Sequence, residues 1–117
     1  MCLFRKNKIK RHVEEYEQED VVFKKESSAS RIIFGEVSDN DLENAKYVET
    51  LKLGHPLCLN FEKLEVAEAN KILAFLVGAT YALNGKTIEI GKKVYFFVLP
   101  NELEDGSVNN WLLQFKE

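Results

Sequence analysis

The side chains that could carry out chemistry in this 117-residue chain are two cysteines, two histidines and a few clustered acids. Cys2 and Cys58 lie far apart without a C-x-x-C spacing, so the sequence predicts neither a disulfide framework nor a zinc site. Because Cys58 lies inside the apolar run LCLNF, we expect it to be a reduced thiol in the core.

The histidines and acids are equally isolated. His12 lies in a charged N-terminal segment and His55 precedes a proline, so both are predicted to be structural or solvated. Glu102, Glu104 and Asp105 fall in a polar loop, where we expect solvation rather than general acid–base catalysis. The spacings of phosphate-binding loops, dinucleotide-binding loops, nucleophile elbows and zinc proteases do not occur in the sequence. We therefore expect no catalytic residue, no metal and no cofactor, and the protein is not predicted to be an enzyme.

Composition and charge indicate one globular domain. With 45% hydrophobic residues, the chain can bury one core but hardly two. A net charge of -3 argues against a nucleic-acid partner, which normally requires a basic face. No apolar stretch reaches the roughly 18 to 20 residues that span a bilayer, and no signal peptide is present, so a cytoplasmic location is predicted.

The N-terminal segment is expected to lie outside the folded unit. The basic stretch MCLFRKNKIKRHV is followed at once by the acidic stretch EEYEQED, and small polar residues then precede a dense apolar strand. We predict a tail and linker over residues 1–30 and a folded domain over residues 31–117.

The folded domain shows regular changes of hydrophobic period. RIIFGEV and PLCLNF are predicted strands, and the intervening helix starts after the capping residues SDND and ends at Gly54. A long second helix, EKLEVAEANKILAFLVGATYAL, ends at Asn84-Gly85, and KTIEI and VYFFVL form a hairpin. The order β-α-β-α-β-β predicts an α/β fold of the α+β sandwich type, with both helices on one face. The last segment, NNWLLQF, is expected to be an extra strand or a docking segment.

The second helix contains the run ILAFLVGATYAL, which carries no charge over residues 72–83. Its second half is apolar all round, and a domain with one sheet cannot cover the outer face itself. Ala74, Gly78 and Ala82, spaced four apart, would let another backbone approach closely. We predict a homodimer or higher polymer formed through this helix; alternatively, the tail or NNWLLQF covers it. The predicted self-association residues are Phe75, Gly78, Ala79 and Tyr81.

Residues 31–103 resemble the core domain of the SepF family, bacterial cell-division proteins that link FtsZ to the membrane. The stretch FLVGATYALNG is similar to the family pattern F-L-x-G-x-x-Y-A-L-x-G. After the hairpin, VYFFVLPNEL resembles the pattern I-F-x-x-x-P-x-N-V, with Pro100 aligned and Asn101 one place early.

The resemblance implies a dimeric α/β sandwich that assembles further, binds the C-terminal peptide of FtsZ and sits at the membrane through its N-terminus. The expected function is a division-septum scaffold at the inner face of the cell membrane. The alternative is a small dimeric ligand-sensing regulatory domain, because similar β-α-β units also bind regulatory ligands. The predicted partner-binding residues are Tyr95, Phe97, Lys92 and Lys93, although one face of VYFFVL must belong to the core.

The chain departs from the family pattern on its surface. Glu89 stands where a Lys or Arg is common, so the contact with an acidic FtsZ tail is expected to be weakened or redirected. Lys86, Lys92 and Lys93 lie close by in the sequence and could substitute for that basic residue.

The N-terminal segment combines apolar and basic residues. Leu3, Phe4 and Ile9, with five basic residues, are predicted to bind an anionic membrane surface. Each Lys or Arg contributes about 1 kcal/mol near anionic lipids, so the anchor is weak alone and gains strength in a dimer. The alternative is a disordered polyampholyte whose basic block is neutralised by the acidic stretch.

Overall fold

The computed structural model describes residues 26–115, which form one sheet covered by helices on both faces. Two short 3-10 turns, Ala29–Arg31 and Pro100–Leu103, flank the main elements. The strands are β1 (Ile33–Glu36), β2 (Leu57–Asn60), β3 (Lys86–Gly91) and β4 (Val94–Val98), and the helices are α1 (Asp41–Lys52), α2 (Val66–Ala82) and α3 (Ser107–Leu113).

The sheet has the strand order β1-β2-β4-β3. β1 and β2 are parallel and are joined by the α1 crossover, whereas β4 runs antiparallel to both β2 and β3. The predicted order β-α-β-α-β-β and the α+β sandwich are therefore confirmed for the described residues.

Local sequence explains where α1 begins and where α2 ends. The Oδ1 of Asn40 accepts a hydrogen bond from the Glu43 amide at 3.0 Å, which caps the start of α1. Asn84 has a φ of 65° just after α2. The next residue must be glycine, because a Cβ on Gly85 would lie 2.6 Å from the Val98 carbonyl oxygen. This close approach ties the end of α2 to β4.

The first core lies between the sheet and the pair α1 and α2. Leu57 and Leu59 of β2 and Phe97 of β4 point to this side, and Ile72 and Leu76 of α2 pack against them. The alternation along β2 and β4 sends the intervening residues to the opposite face. Both predicted helices thus cover the same face of the sheet, as right-handed crossovers require.

The second core lies on the opposite face, under α3. Val108 is completely buried there with Phe96 and Val98 of β4, and Trp111 packs on Phe96 with ring centroids 5.1 Å apart. The strand considered for NNWLLQF is therefore wrong: this segment belongs to α3. Val108, Trp111 and Leu112 recur at helical spacing, so a helix buries all three against the sheet, whereas a strand would alternate its faces.

Candidate functional site: two interaction surfaces that share one helix

Cys58 and His55, two of the side chains that could carry out chemistry, contact neighbouring parts of the fold. Cys58 packs against the second core, and burial raises the pKa of its thiol, which agrees with the predicted core position. The Nδ1 of His55 lies 3.0 Å from the carbonyl oxygen of Arg31, in the loop before β2. Cys58 therefore contributes to core packing, and His55 to the geometry of the loop before β2.

The acidic loop is more ordered than the sequence suggested. Glu102 is only 7% exposed and lies 3.7 Å from the Arg31 guanidinium, so the expectation that it is simply solvated is wrong. The carboxylate of Asp105 accepts hydrogen bonds from the amides of Ser28 and Ser107, each at 2.9 Å. These bonds lower the pKa of Asp105 well below its usual range. They connect the beginning of the domain to α3, which is a structural role.

Within residues 26–115, His, Cys, Asp and Glu side chains form no group that could hold a metal ion. The helices of the same part of the chain are also too short or too polar to cross a bilayer. The predicted membrane residues Leu3, Phe4 and Ile9, like the rest of residues 1–25, lie outside the described part of the chain.

The first interaction surface is the outer face of α2. The inner stripe of this helix, Ile72, Leu76 and Thr80, is buried against the sheet. On the outer side, Phe75 is 49% exposed and Tyr81 is 80% exposed. Ala74, Val77, Gly78 and Ala82 are also exposed, so the surface is apolar and uncharged.

Gly78 lies near the middle of this outer face. Apart from its chain neighbours and the backbone of its own helix, no described atom lies within 4 Å of a Cβ built on Gly78, so the glycine is not required by packing inside the chain. Ala79, the fourth predicted self-association residue, is partly buried at the edge of the surface. Phe75, Gly78 and Tyr81 are thus brought onto one exposed face, with Ala79 beside it.

The described residues do not cover this face. α3, which contains most of NNWLLQF, lies on the opposite side of the sheet, so this segment cannot be the cover that the sequence left open. The tail, the other alternative, lies outside the described residues.

The second surface is a groove where α2 begins beside the hairpin. It has a volume of about 90 Å³, and Tyr95 and Lys93 both line it. Tyr95 packs edge-on against Phe61, with ring centroids 5.6 Å apart. The remaining lining residues were not singled out from the sequence, since they come from separate segments: Phe61, Leu64, Val66, Ala69, Asn70 and Leu73.

The other two predicted partner-binding residues do not line this groove. Phe97 has no exposed surface and belongs to the first core, so its assignment as a partner contact is wrong. Strand alternation explains the error, because Tyr95 and Phe97 share one face and only Tyr95 lies near its margin. Lys92 is exposed in the β3–β4 turn next to Lys93.

A known protein family matches the part of the chain that carries both surfaces. The family model described as Cell division protein SepF matches residues 37–104, which include α1, α2 and the whole β3–β4 hairpin. The chain belongs to the SepF family. Both surfaces described above lie within the matched segment of this SepF chain.

Relatives of this SepF chain carry the same printed name, "Cell division protein SepF". One from Natranaerobius thermophilus is 36% identical over 50% of this chain and 35% of its own length. One from Lactobacillus acidophilus is 31% identical over 72% of this chain and 57% of its own length. One from Symbiobacterium thermophilum is 43% identical over 45% of this chain and 26% of its own length. The matches thus span well under two thirds of each relative.

Proposed function

We propose that this SepF chain is a non-enzymatic scaffold of the division septum, which pairs through α2 and links FtsZ filaments to the cytoplasmic membrane. The proposal depends chiefly on one observation: the outer face of α2 is apolar and uncharged, and residues 26–115 leave it uncovered. The family assignment supports a role in cell division, and the resemblance of the core domain supports FtsZ and the membrane as partners.

Self-association explains the composition of α2. A contiguous apolar face on a small domain is typical of a protein–protein interface. Tyr81 and Phe75 supply aromatic side chains, which carry much of the binding energy in interfaces. The space around Gly78 allows the backbone of a second helix to approach. A two-fold pair is the simplest closed assembly of this kind.

The groove beside the hairpin suits a peptide better than a metabolite. Its volume of about 90 Å³ is well below the roughly 300 Å³ at which pockets for small ligands begin. It can take one apolar side chain, while Lys93 meets an acidic residue of the same peptide. The geometry therefore favours peptide binding over the ligand-sensing alternative at this position.

Pairing gives each weak contact more strength. A dimer presents two grooves and two N-terminal segments, so binding at one site raises the effective concentration at the other. We place the protein at the inner face of the cell membrane at the division site, with Leu3, Phe4 and Ile9 in contact with anionic lipid. The tail is then the anchor and the folded domain is the bridge.

The oligomeric state tests the central observation. Light scattering should show that Gly78→Lys lowers the mass to that of a single chain, because a buried lysine cannot be accommodated in an apolar interface. Asn110→Lys adds the same charge on the exposed side of α3 and should leave the mass unchanged. An unchanged mass for Gly78→Lys would contradict self-association through α2.

A pulldown with the C-terminal peptide of FtsZ tests the partner. Lys93→Glu should weaken peptide capture, because the reversed charge repels an acidic peptide at the groove. Lys52→Glu makes the same change at the end of α1 and serves as the matched control. A thermal shift with metabolites and no capture of the peptide would instead favour the ligand-sensing domain.

A further inference from the structure

A second cavity lies between the first turn of α1 and the middle of α2. Its volume is about 320 Å³, and it opens beside Phe75 on the outer face of α2. We call it the Asn44 groove; its lining residues are Asp41, Asn44, Ala45, Lys71, Ile72 and Phe75. The groove is mainly apolar, while the side chains of Asp41 and Lys71 are exposed.

Asn44, one of the residues that line this groove, carries a side-chain acceptor that no described residue uses. The residue is 3% exposed, and its Nδ2 donates to the Ser38 carbonyl at 3.1 Å. The amide orientation is defined by this bond, because a reversed amide would place two oxygens together. The Oδ1 of Asn44 is buried without a hydrogen-bond partner, a condition that no other buried side-chain atom shares within the described residues.

An unpaired buried oxygen destabilises a fold, so a hydrogen-bond donor that pairs with the Asn44 Oδ1 would stabilise this one. Water is a poor candidate, because buried waters usually make about three hydrogen bonds and the groove is mainly apolar. The occupant that fits is an apolar ring carrying one O–H or N–H donor. The Oδ1 of Asn44 is closed to solvent in the single chain. A side chain at the opening of the Asn44 groove, such as Phe75, must therefore rotate before such a ring can reach this oxygen.

The chain itself carries such a group on the same helix. Tyr81 is 80% exposed and combines an aromatic ring with a hydroxyl donor. It cannot enter its own groove, because it lies ~9 Å along the helix axis and ~120° around it from Phe75. A second copy removes this restriction.

Building on the proposed self-association, we infer that the partner subunit's Tyr81 inserts its ring into the Asn44 groove and donates its hydroxyl to the Asn44 Oδ1. Gly78 lies midway between Phe75 and Tyr81 in the sequence. A two-fold axis near Gly78 therefore brings the Tyr81 ring of each chain next to the Asn44 groove of the other chain. Phe75 and Tyr81 lie on opposite flanks of the outer face, so the two α2 helices cross steeply. Steep crossing concentrates the contact near one point, where Gly78 offers open space.

Dimer dissociation constants from sedimentation equilibrium on the full-length chain test this contact. Tyr81→Phe removes only the hydroxyl, but a two-fold dimer loses both symmetry-related bonds, so dimerisation should weaken by about 5- to 100-fold. Tyr81→Ala also empties both grooves and should weaken dimerisation by on the order of 1,000-fold. Tyr95→Phe removes a hydroxyl at the other surface and should have no effect. Tyr81 is exposed, so these variants retain the fold of the single chain.

A double-mutant cycle assigns the acceptor. In an Asn44→Ala background, Tyr81→Phe should cause no further loss of affinity, because the bond is already absent. Additive losses would overturn the assignment of Asn44. A dimer that Gly78→Lys disrupts but Tyr81→Phe and Tyr81→Ala leave intact would overturn this inference while the proposed α2 interface stands. A wild-type chain that remains single at all concentrations would instead overturn the proposed self-association.

Discussion

Glu89 lies directly opposite Tyr95 in the antiparallel pairing of β3 with β4. Side chains at such paired positions share one face of the sheet, with Cβ atoms about 5 Å apart. Tyr95 lines the groove proposed for the FtsZ peptide, and its cross-strand neighbour Glu89 is exposed but does not itself line that groove. In the SepF family pattern, a Lys or Arg is common at the position of Glu89. Glu89 would therefore repel an acidic peptide where the family pattern has an attractive charge.

We predict that Glu89→Lys tightens binding of the acidic FtsZ tail peptide by about 3- to 10-fold at low salt, with a smaller gain at high salt. Fluorescence anisotropy with a labelled peptide measures the change. Glu49→Lys on the exposed side of α1 makes the same charge change away from the groove. Equal gains in both variants would show that only net charge matters and that the Glu89 position does not.

Gly78 is predicted to reduce the stability of the single chain. A glycine within a helix costs about 1 kcal/mol relative to alanine, and a Cβ at Gly78 would meet no described atom within 4 Å outside its own helix backbone and chain neighbours. Gly78→Ala should therefore raise the unfolding free energy of the single chain by about 1 kcal/mol while weakening self-association. Urea unfolding at protein concentrations below the dimer dissociation constant measures the unfolding free energy of the single chain. Sedimentation measures the change in self-association.

Gly85→Ala is the matched comparison for that prediction. Its Cβ would lie 2.6 Å from the Val98 carbonyl oxygen and 2.8 Å from Thr80 Cγ2, so it should destabilise the fold by about 1 to 3 kcal/mol. If Gly78→Ala also destabilised the single chain, Gly78 would have a role within the monomer rather than in assembly.

The link between Asp105 and the start of the domain is predicted to depend on pH. Hydrogen bonds from Ser28 and Ser107 favour the charged carboxylate and lower its pKa in the folded state. Their stabilising effect is therefore complete above the unfolded pKa of about 3.9 and is lost as the pH falls below it. Asp105→Asn cannot titrate, so its stability deficit relative to wild type should be largest near neutral pH and shrink toward about pH 3.

Urea unfolding curves of both chains at several pH values measure this difference. Comparing the two chains cancels the titration of the other carboxyl groups, because they are common to both. A deficit that stays constant from neutral to acidic pH would contradict the role of the Asp105 charge.

The N-terminal tail is predicted to be the membrane anchor. Deleting residues 1–13 removes Leu3, Phe4 and Ile9 with the basic block, and should abolish flotation with anionic liposomes. Circular dichroism should remain that of the folded domain, and neutral liposomes serve as the lipid control. Undiminished flotation of the deletion variant would exclude this tail as the anchor.

The exposed apolar face of α2 could be predicted because the apolar positions of this helix exceed those that one core needs. Ile72 and Leu76 account for the inner face, which leaves Phe75 and Tyr81 without a role in a single domain. The element order also followed from local signals, such as the cap at Asn40 and the turn at Asn84. These features depend on residues near one another in the sequence.

The features that could not be predicted depend on contacts between distant segments. Glu102 is buried because Arg31, seventy-one residues earlier, lies beside it, and the polar loop itself contains no sign of this. The orphaned oxygen of Asn44 likewise becomes visible only once α1 packs on α2. The helical form of α3 could not be predicted because Trp111, like other aromatic residues, also suits a strand.

α2 connects the two surfaces as a continuous rod. It begins at Val66 in the proposed peptide groove and ends at Ala82, a run of 17 residues that extends ~25 Å. The contact between Gly85 and β4 holds its far end. When two chains join through α2 near Gly78, the stretch from Val66 to Gly78 and the angle at which the helices cross therefore set the gap between the two docked peptides. FtsZ filaments held by such a pair would run at a spacing fixed by that stretch of helix, and the length of residues 1–25 would not alter it.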